Sequence, residues 1–139
     1  MKVITKNGGL RLIRFDTGED VIAKLATYAK KEKIPSASFT GIGASKKVAL
    51  SYYNLKKKKY EEKTMSENLE LTCIAGTIAW KGVSPIIHAH GTFSNRQFSV
   101  YGGHVKKLIV SVTCELSLAI LKNKATRSFD EKTGLNLLS

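Results

Sequence analysis

The chain has 139 residues and carries 23 Lys and Arg against 11 Asp and Glu, a net charge of +12. That length is one domain's worth, residues 1–139, able to bury about two-thirds of its unfolded surface in a core. No run approaches the ~18 apolar residues of a membrane helix and the first residues lack the apolar stretch of a signal peptide, so we expect a cytoplasmic protein with no membrane partner.

In chain order, residues 10–15 read as an edge-like strand in which Leu10, Leu12 and Phe15 alternate imperfectly with Arg11 and Arg14. Thr17-Gly18-Glu19-Asp20 then supplies a helix start, with Thr17 as the cap and the acidic pair at the positive end of the dipole. Val21, Ile22, Leu25, Ala26 and Ala29 recur at helical spacing, and Lys30, Lys31 and Lys33 crowd the far end before Pro35. This predicts an amphipathic helix lying on a sheet. Residues 36–40 and 48–53 read as two strands joined by a bend at Gly41-Ile42-Gly43-Ala44. A phosphate-binding loop is the weaker reading there, because a strand and not a helix follows it.

Lys56, Lys57, Lys58 and Lys59 form the densest charge run, set between Tyr52, Tyr53 and Tyr60. Such a run can grip a nucleic-acid backbone beside a stacked base, or it can be a solvated hairpin tip whose lysines guard an edge strand. Residues 69–80 fit a central strand, with Leu69, Leu71, Cys73 and Ala75 on one face and Glu70, Thr72 and Ile74 on the other. Residues 108–121 fit a last long strand, with Val112, Cys114, Leu116 and Leu118 inward. Cys73 and Cys114 then read as buried free thiols of a reducing compartment.

All three histidines lie between these two strands. Residues 86–93 read as a strand, which puts His88 and His90 on one face. Ser94-Asn95-Arg96-Gln97 suits a hairpin loop, residues 98–101 the returning strand, and His104 follows Gly102-Gly103. In the obvious register the return brings His104 towards the other two. Three neutral imidazoles with a fourth position open are the ligand set of a catalytic-type zinc site. The plainer alternative is a pair of half-buried side chains hydrogen-bonded to their neighbours. Glu115 is an uncharged strand's one carboxylate, which suggests an acid-base group beside the metal, a partner that orients a histidine, or an acid satisfied by a surface Lys or Arg.

Taken together, Thr40-Gly41-Ile42-Gly43-Ala44, Asn68-Leu69-Glu70-Leu71 running to Ala75-Gly76, His88-Ala89-His90, Gly102-Gly103-His104, Thr113-Cys114-Glu115, Arg127, Asp130 and Thr133-Gly134-Leu135 resemble the PPC domain, conserved in plants and prokaryotes. The histidine blocks are also similar to the zinc-ligand segment of acetolactate decarboxylase, an enzyme of related fold. The resemblance implies zinc on His88, His90 and His104, and a homotrimer. The fold expected is α+β: a largely antiparallel sheet of about seven strands with one main covering helix.

Two functions follow. One is a small metal-dependent enzyme whose small-molecule substrate the chain does not identify. The other is a DNA-binding or regulatory protein acting through its basic surface. The family's plant members bind DNA through an Arg-Gly-Arg-Pro hook that this chain lacks, so only charge argues for DNA. That charge is 19 Lys and 4 Arg, whereas bidentate phosphate and guanine contacts favour Arg.

Overall fold

The computed structural model describes residues 1–139. In chain order the elements are β1 (Lys2–Asn7), β2 (Leu10–Asp16), α1 (Val21–Lys31), β3 (Ser36–Asn54), β4 (Lys59–Met65), β5 (Leu69–Lys81), β6 (Ser84–Ser94), β7 (Val100–Leu121), β8 (Arg127–Asp130) and β9 (Leu135–Leu138). The first seven strands form one sheet in the order β1-β2-β7-β6-β5-β3-β4, and every pairing in it is antiparallel. The α+β class expected from the sequence, about seven antiparallel strands with one helix, is the architecture found.

A further pairing of β7 with β3 closes the path β3-β5-β6-β7 on itself. Closure depends on the length of β3 and β7, 19 and 22 residues. The first part of β7 pairs with β6 and its later part with β2, while its other edge runs along β3. The two strands expected at 36–40 and 48–53 are therefore one. Gly41 and Gly43 explain how it bends without ending. A Cβ at Gly41 would lie 2.4 Å from the Glu115 carbonyl oxygen, and one at Gly43 would lie 2.4 Å from that of Thr113. Only glycine lets β3 approach β7 this closely; the ladder with β5 shifts register between Gly41 and Gly43, and the ladder with β7 shifts just after Gly43.

Two faces differ from the sequence reading, each because of an irregularity that period-2 counting cannot see. On β5, Leu71 pairs with Phe93 but Cys73 with Thr92, so Thr72 is an extra residue and the alternation flips after it. Cys73 is consequently exposed and Ile74 buried. On β7, the pairs Gly43 with Cys114 and Ser45 with Val110 leave three residues opposite Ala44 alone. Val112 is turned out there and is 70% exposed. Cys114 is buried as expected, and that burial, with the nearby Glu115 charge, pushes its thiol up to about 12. Neither cysteine is in a disulfide.

The helix buries Val21, Leu25, Tyr28 and Ala29 and packs on β6 and β7. Its cap is Asp20, not Thr17. The Asp20 carboxylate accepts from the Ile22 and Ala23 amides at 3.1 and 3.4 Å, while the Thr17 hydroxyl donates to the Ser111 and Val112 carbonyls. Asp20→Ala should cost about 1 kcal/mol. Urea denaturation would read this as a lower midpoint at an unchanged m-value.

One cluster of 24 buried residues fills the interior, drawn from α1, from Ile34 in the connection after it and from β2 to β7, and including Phe15, Ile74, Phe93 and Leu118. Outside it, β8 and β9 form a separate hairpin. The Tyr53 hydroxyl donates to the Thr133 carbonyl and the Lys58 ammonium to the Glu131 carbonyl, which ties this hairpin to the β3–β4 tip. Arg127 ties it to β5, through a 3.3 Å bond to the Thr77 hydroxyl.

Candidate metal centre

The centre is built by the β6–β7 hairpin. Ser94 pairs with Val100 and the register runs back to His90 directly opposite His104. The five-residue loop is set by Asn95, whose side-chain oxygen accepts from the Gln97 and Ser99 amides at 3.0 Å each. Phe98 belongs to this loop and not to the return strand. It has φ 59° and is 85% exposed. The return starts at Val100, and this places His104 where the expected register required.

Ala89, Phe93 and Val105 point into the core, so their neighbours His88, His90 and His104 point away from it. The three ring centroids are 5.2, 5.3 and 5.6 Å apart. One nitrogen from each histidine lies within 4.8 Å of the other two. Tetrahedral bonds of ~2.05 Å from a common centre set nitrogens about 3.3 Å apart, so modest ring rotations would bring all three onto one ion. The Nδ1 atom of His104 is buried without a hydrogen-bond partner. Coordination of an ion by this ring would relieve that cost. The donor set and its spacing fit a metal.

Electrostatics favours the form a metal needs. Burial, then the charges of Arg127 and His90, hold His88 below the ordinary imidazole range. Burial, then His88, His90, Lys106 and Arg127, brings His104 down to about 4. Each shift disfavours the cation, so these rings are neutral at pH 7. Protons compete with a metal as pH falls, and affinity drops with acidification. Because His104 stays neutral until about pH 4, the loss should not exceed about two log units per pH unit between pH 5 and 6. Calorimetric titration across that range checks it, since three ordinary histidines would give a slope near three.

A cavity of about 260 Å³ adjoins the histidines, lined by His88, His104, Tyr60, Lys81 and Arg127 together with apolar residues of β6 and β9. The hairpin of β8 and β9 forms its outer wall. Thr77, which holds Arg127, is the cross-strand partner of His88, so strand pairing puts the guanidinium on the histidine face. The sequence reading left Tyr60 and Arg127 out of this site. Asp130 accepts from the Thr133 amide and hydroxyl, and Arg127 donates to the Asn136 carbonyl. Tyr60 reaches the site across the β3–β4 pair, its ring 5.3 Å from that of His104.

Glu115 is not brought to the histidines. It is exposed on β7 in register with Arg14 and Ile42. Eleven residues of extended chain separate it from His104, about 35 Å along the strand. An acid-base role within the same chain is thereby corrected. Of the lysine run, Lys56, Lys57 and Lys58 lie in the β3–β4 turn and Lys59 opens β4, an edge strand. Lys57 pairs with Glu61 at 3.3 Å and Lys58 is bonded to the tail hairpin, so two of the four are committed to local contacts.

No helix is long and apolar enough to cross a membrane. No curated protein matches the chain in sequence. Among solved structures, a candidate DNA-binding protein from Ralstonia eutropha JMP134 is 34% identical with a TM-score of 0.91, covering 97% of this chain and 94% of its own. A metal-containing protein from Archaeoglobus fulgidus is 30% identical with a TM-score of 0.87, covering 100% and 99%. Acetolactate decarboxylase from Bacillus subtilis subspecies spizizenii shares only the fold, at 16% identity and a TM-score of 0.59 over 84% of this chain and 54% of its own. The family model of the Plants and Prokaryotes Conserved (PCC) domain matches residues 5–122, a span that contains the whole histidine hairpin, and the chain belongs to that family.

Proposed function

We propose that this chain is a small metal-dependent enzyme whose zinc is held by His88, His90 and His104. The observation that carries the reading is the convergence of three nitrogens from three imidazoles, two of them held neutral, on the outer face of a hairpin beside a cavity. The metal-containing relative from Archaeoglobus fulgidus supports it. Three protein ligands leave a coordination position for a small-molecule substrate or water. Zinc so held supplies Lewis-acid polarisation of an oxygen ligand.

Three neutral ligands leave the ion its full charge. The hairpin of β8 and β9 covers the site from solvent on one side, and Arg127 adds a fixed positive charge. No carboxylate of the chain lines the cavity, so proton transfer falls to the Tyr60 hydroxyl or to the substrate itself.

Exposed Ile4, Leu12 and Ile42, around the depression that also holds Glu115, suit self-association, and a homotrimer is the assembly we propose. Light scattering should then give three times 15.3 kDa. Free thiols fit a cytoplasmic setting.

DNA binding is the second reading, favoured by the net charge of +12 and by the relative from Ralstonia eutropha. Elemental analysis of the purified chain separates the two. Zinc near one per chain that survives dialysis supports the enzyme, whereas metal-free protein that binds duplex DNA with a steep salt dependence supports the alternative.

A further inference from the structure

We infer that the cavity beside the histidines binds a small carboxylate, anchored by Arg127. This names a substrate class for the enzyme proposed above, and rests on that reading only for the chemistry that follows binding.

Charge is the first argument. The cavity wall contains two cations, Arg127 and Lys81, and no Asp or Glu. Arg127 takes part in none of the chain's ion pairs. Its guanidinium is partly buried and bonded only to neutral oxygens, the Asn136 carbonyl at 3.0 Å and the Thr77 hydroxyl at 3.3 Å, while its Nε is buried with no acceptor. A guanidinium has five donors, so most of this one's capacity is unmet. Partly buried cations without an anion are costly, and an anionic ligand removes that cost.

The second argument is fixation. The bonds to Thr77 and Asn136 clamp the guanidinium between the sheet and the tail hairpin. Thr77 lies across from His88, so the cation is held beside the metal ligands by strand pairing and not by a mobile loop. A fixed planar fork matches the two oxygens of a carboxylate.

Size and polarity select the rest of the ligand. The volume of about 260 Å³ corresponds to about eight water-sized groups. Ile86, Ile87, Leu135 and Leu137 supply apolar wall. A short carboxylate with an aliphatic body satisfies both halves. A phosphate dianion would leave the apolar wall unused.

The test is a titration of the full chain with sodium butyrate, and separately with inorganic phosphate, followed by calorimetry and by the NMR signals of the Arg127 side chain and the His88 and His104 rings. It is run on metal-free and on zinc-loaded protein. Butyrate should bind saturably to both forms, shift the Arg127 Nε resonance in the wild-type chain, and bind at least tenfold more tightly than phosphate. Arg127→Gln should weaken butyrate at least tenfold. Arg127→Lys, which keeps the charge and loses the fork, should also weaken it, with the amide signals of the seven-stranded sheet away from Thr77 unchanged. Absence of saturable butyrate binding in both forms overturns the proposal, as does binding undiminished in both variants or phosphate binding more tightly. Butyrate binding by a chain that takes up no zinc would uphold this site while removing the metal reading, and zinc uptake without butyrate binding would do the reverse.

Discussion

The double substitution His88→Ala, His90→Ala is expected to abolish stoichiometric zinc binding while leaving the fold in place. Two of three ligands disappear, and the remaining His104 cannot hold an ion alone against water. Even residues that merely support a metal ligand typically cost about 10- to 100-fold in affinity, so removing two direct ligands should cost about 10⁴-fold or more. The fold should survive because these side chains point away from the core cluster, where Ala89 and Phe93 occupy the buried face of the same strand. Thermal melts separate the two effects. At zinc a hundredfold above its dissociation constant, wild-type protein gains about 2.7 kcal/mol. The double variant should melt close to metal-free wild type and show no rise with zinc. A retained zinc response would place the metal elsewhere.

Gly43→Ala should be the most damaging single substitution outside the site. The new Cβ would lie 2.4 Å from the Thr113 carbonyl oxygen and 2.6 Å from the Cys114 Cα, both backbone atoms that cannot swing aside. Relief requires β3 and β7 to separate, and their pairing is what closes the strand path. A loss of about 4 kcal/mol or more is expected, a large share of the 5–15 kcal/mol typical of a domain. Gly82→Ala is the control. Its φ of +59° makes alanine strained, but nothing lies within 4 Å, so only about 1–2 kcal/mol should be lost. Denaturant midpoints of the two variants should differ accordingly, and equal losses would remove the close-approach account of β3.

The histidine centre was legible because it depends on local rules. His88 and His90 share a face by strand alternation alone, and a short hairpin with Asn95 in its loop can return His104 to only a few registers. The helix was equally readable from Val21, Leu25 and Ala29. What escaped depends on long-range pairing. Thr72 bulges because of how β5 meets β6, and Val112 turns out because of how β7 meets β3; neither position looks unusual in sequence. Arg127 and Tyr60 approach the centre from strands distant in the chain, and Glu115 is carried away along the same strand that holds His104 near its start. A carboxylate in a polar stripe gave no sign of which end of a 22-residue strand it served.

X-ray absorption at the zinc edge of the purified, zinc-loaded chain tests the central claim most directly. Three imidazole nitrogens at ~2.0–2.1 Å and no sulfur are the result expected of His88, His90 and His104. Sulfur near ~2.3 Å, or fewer than three imidazoles around the ion, would contradict it.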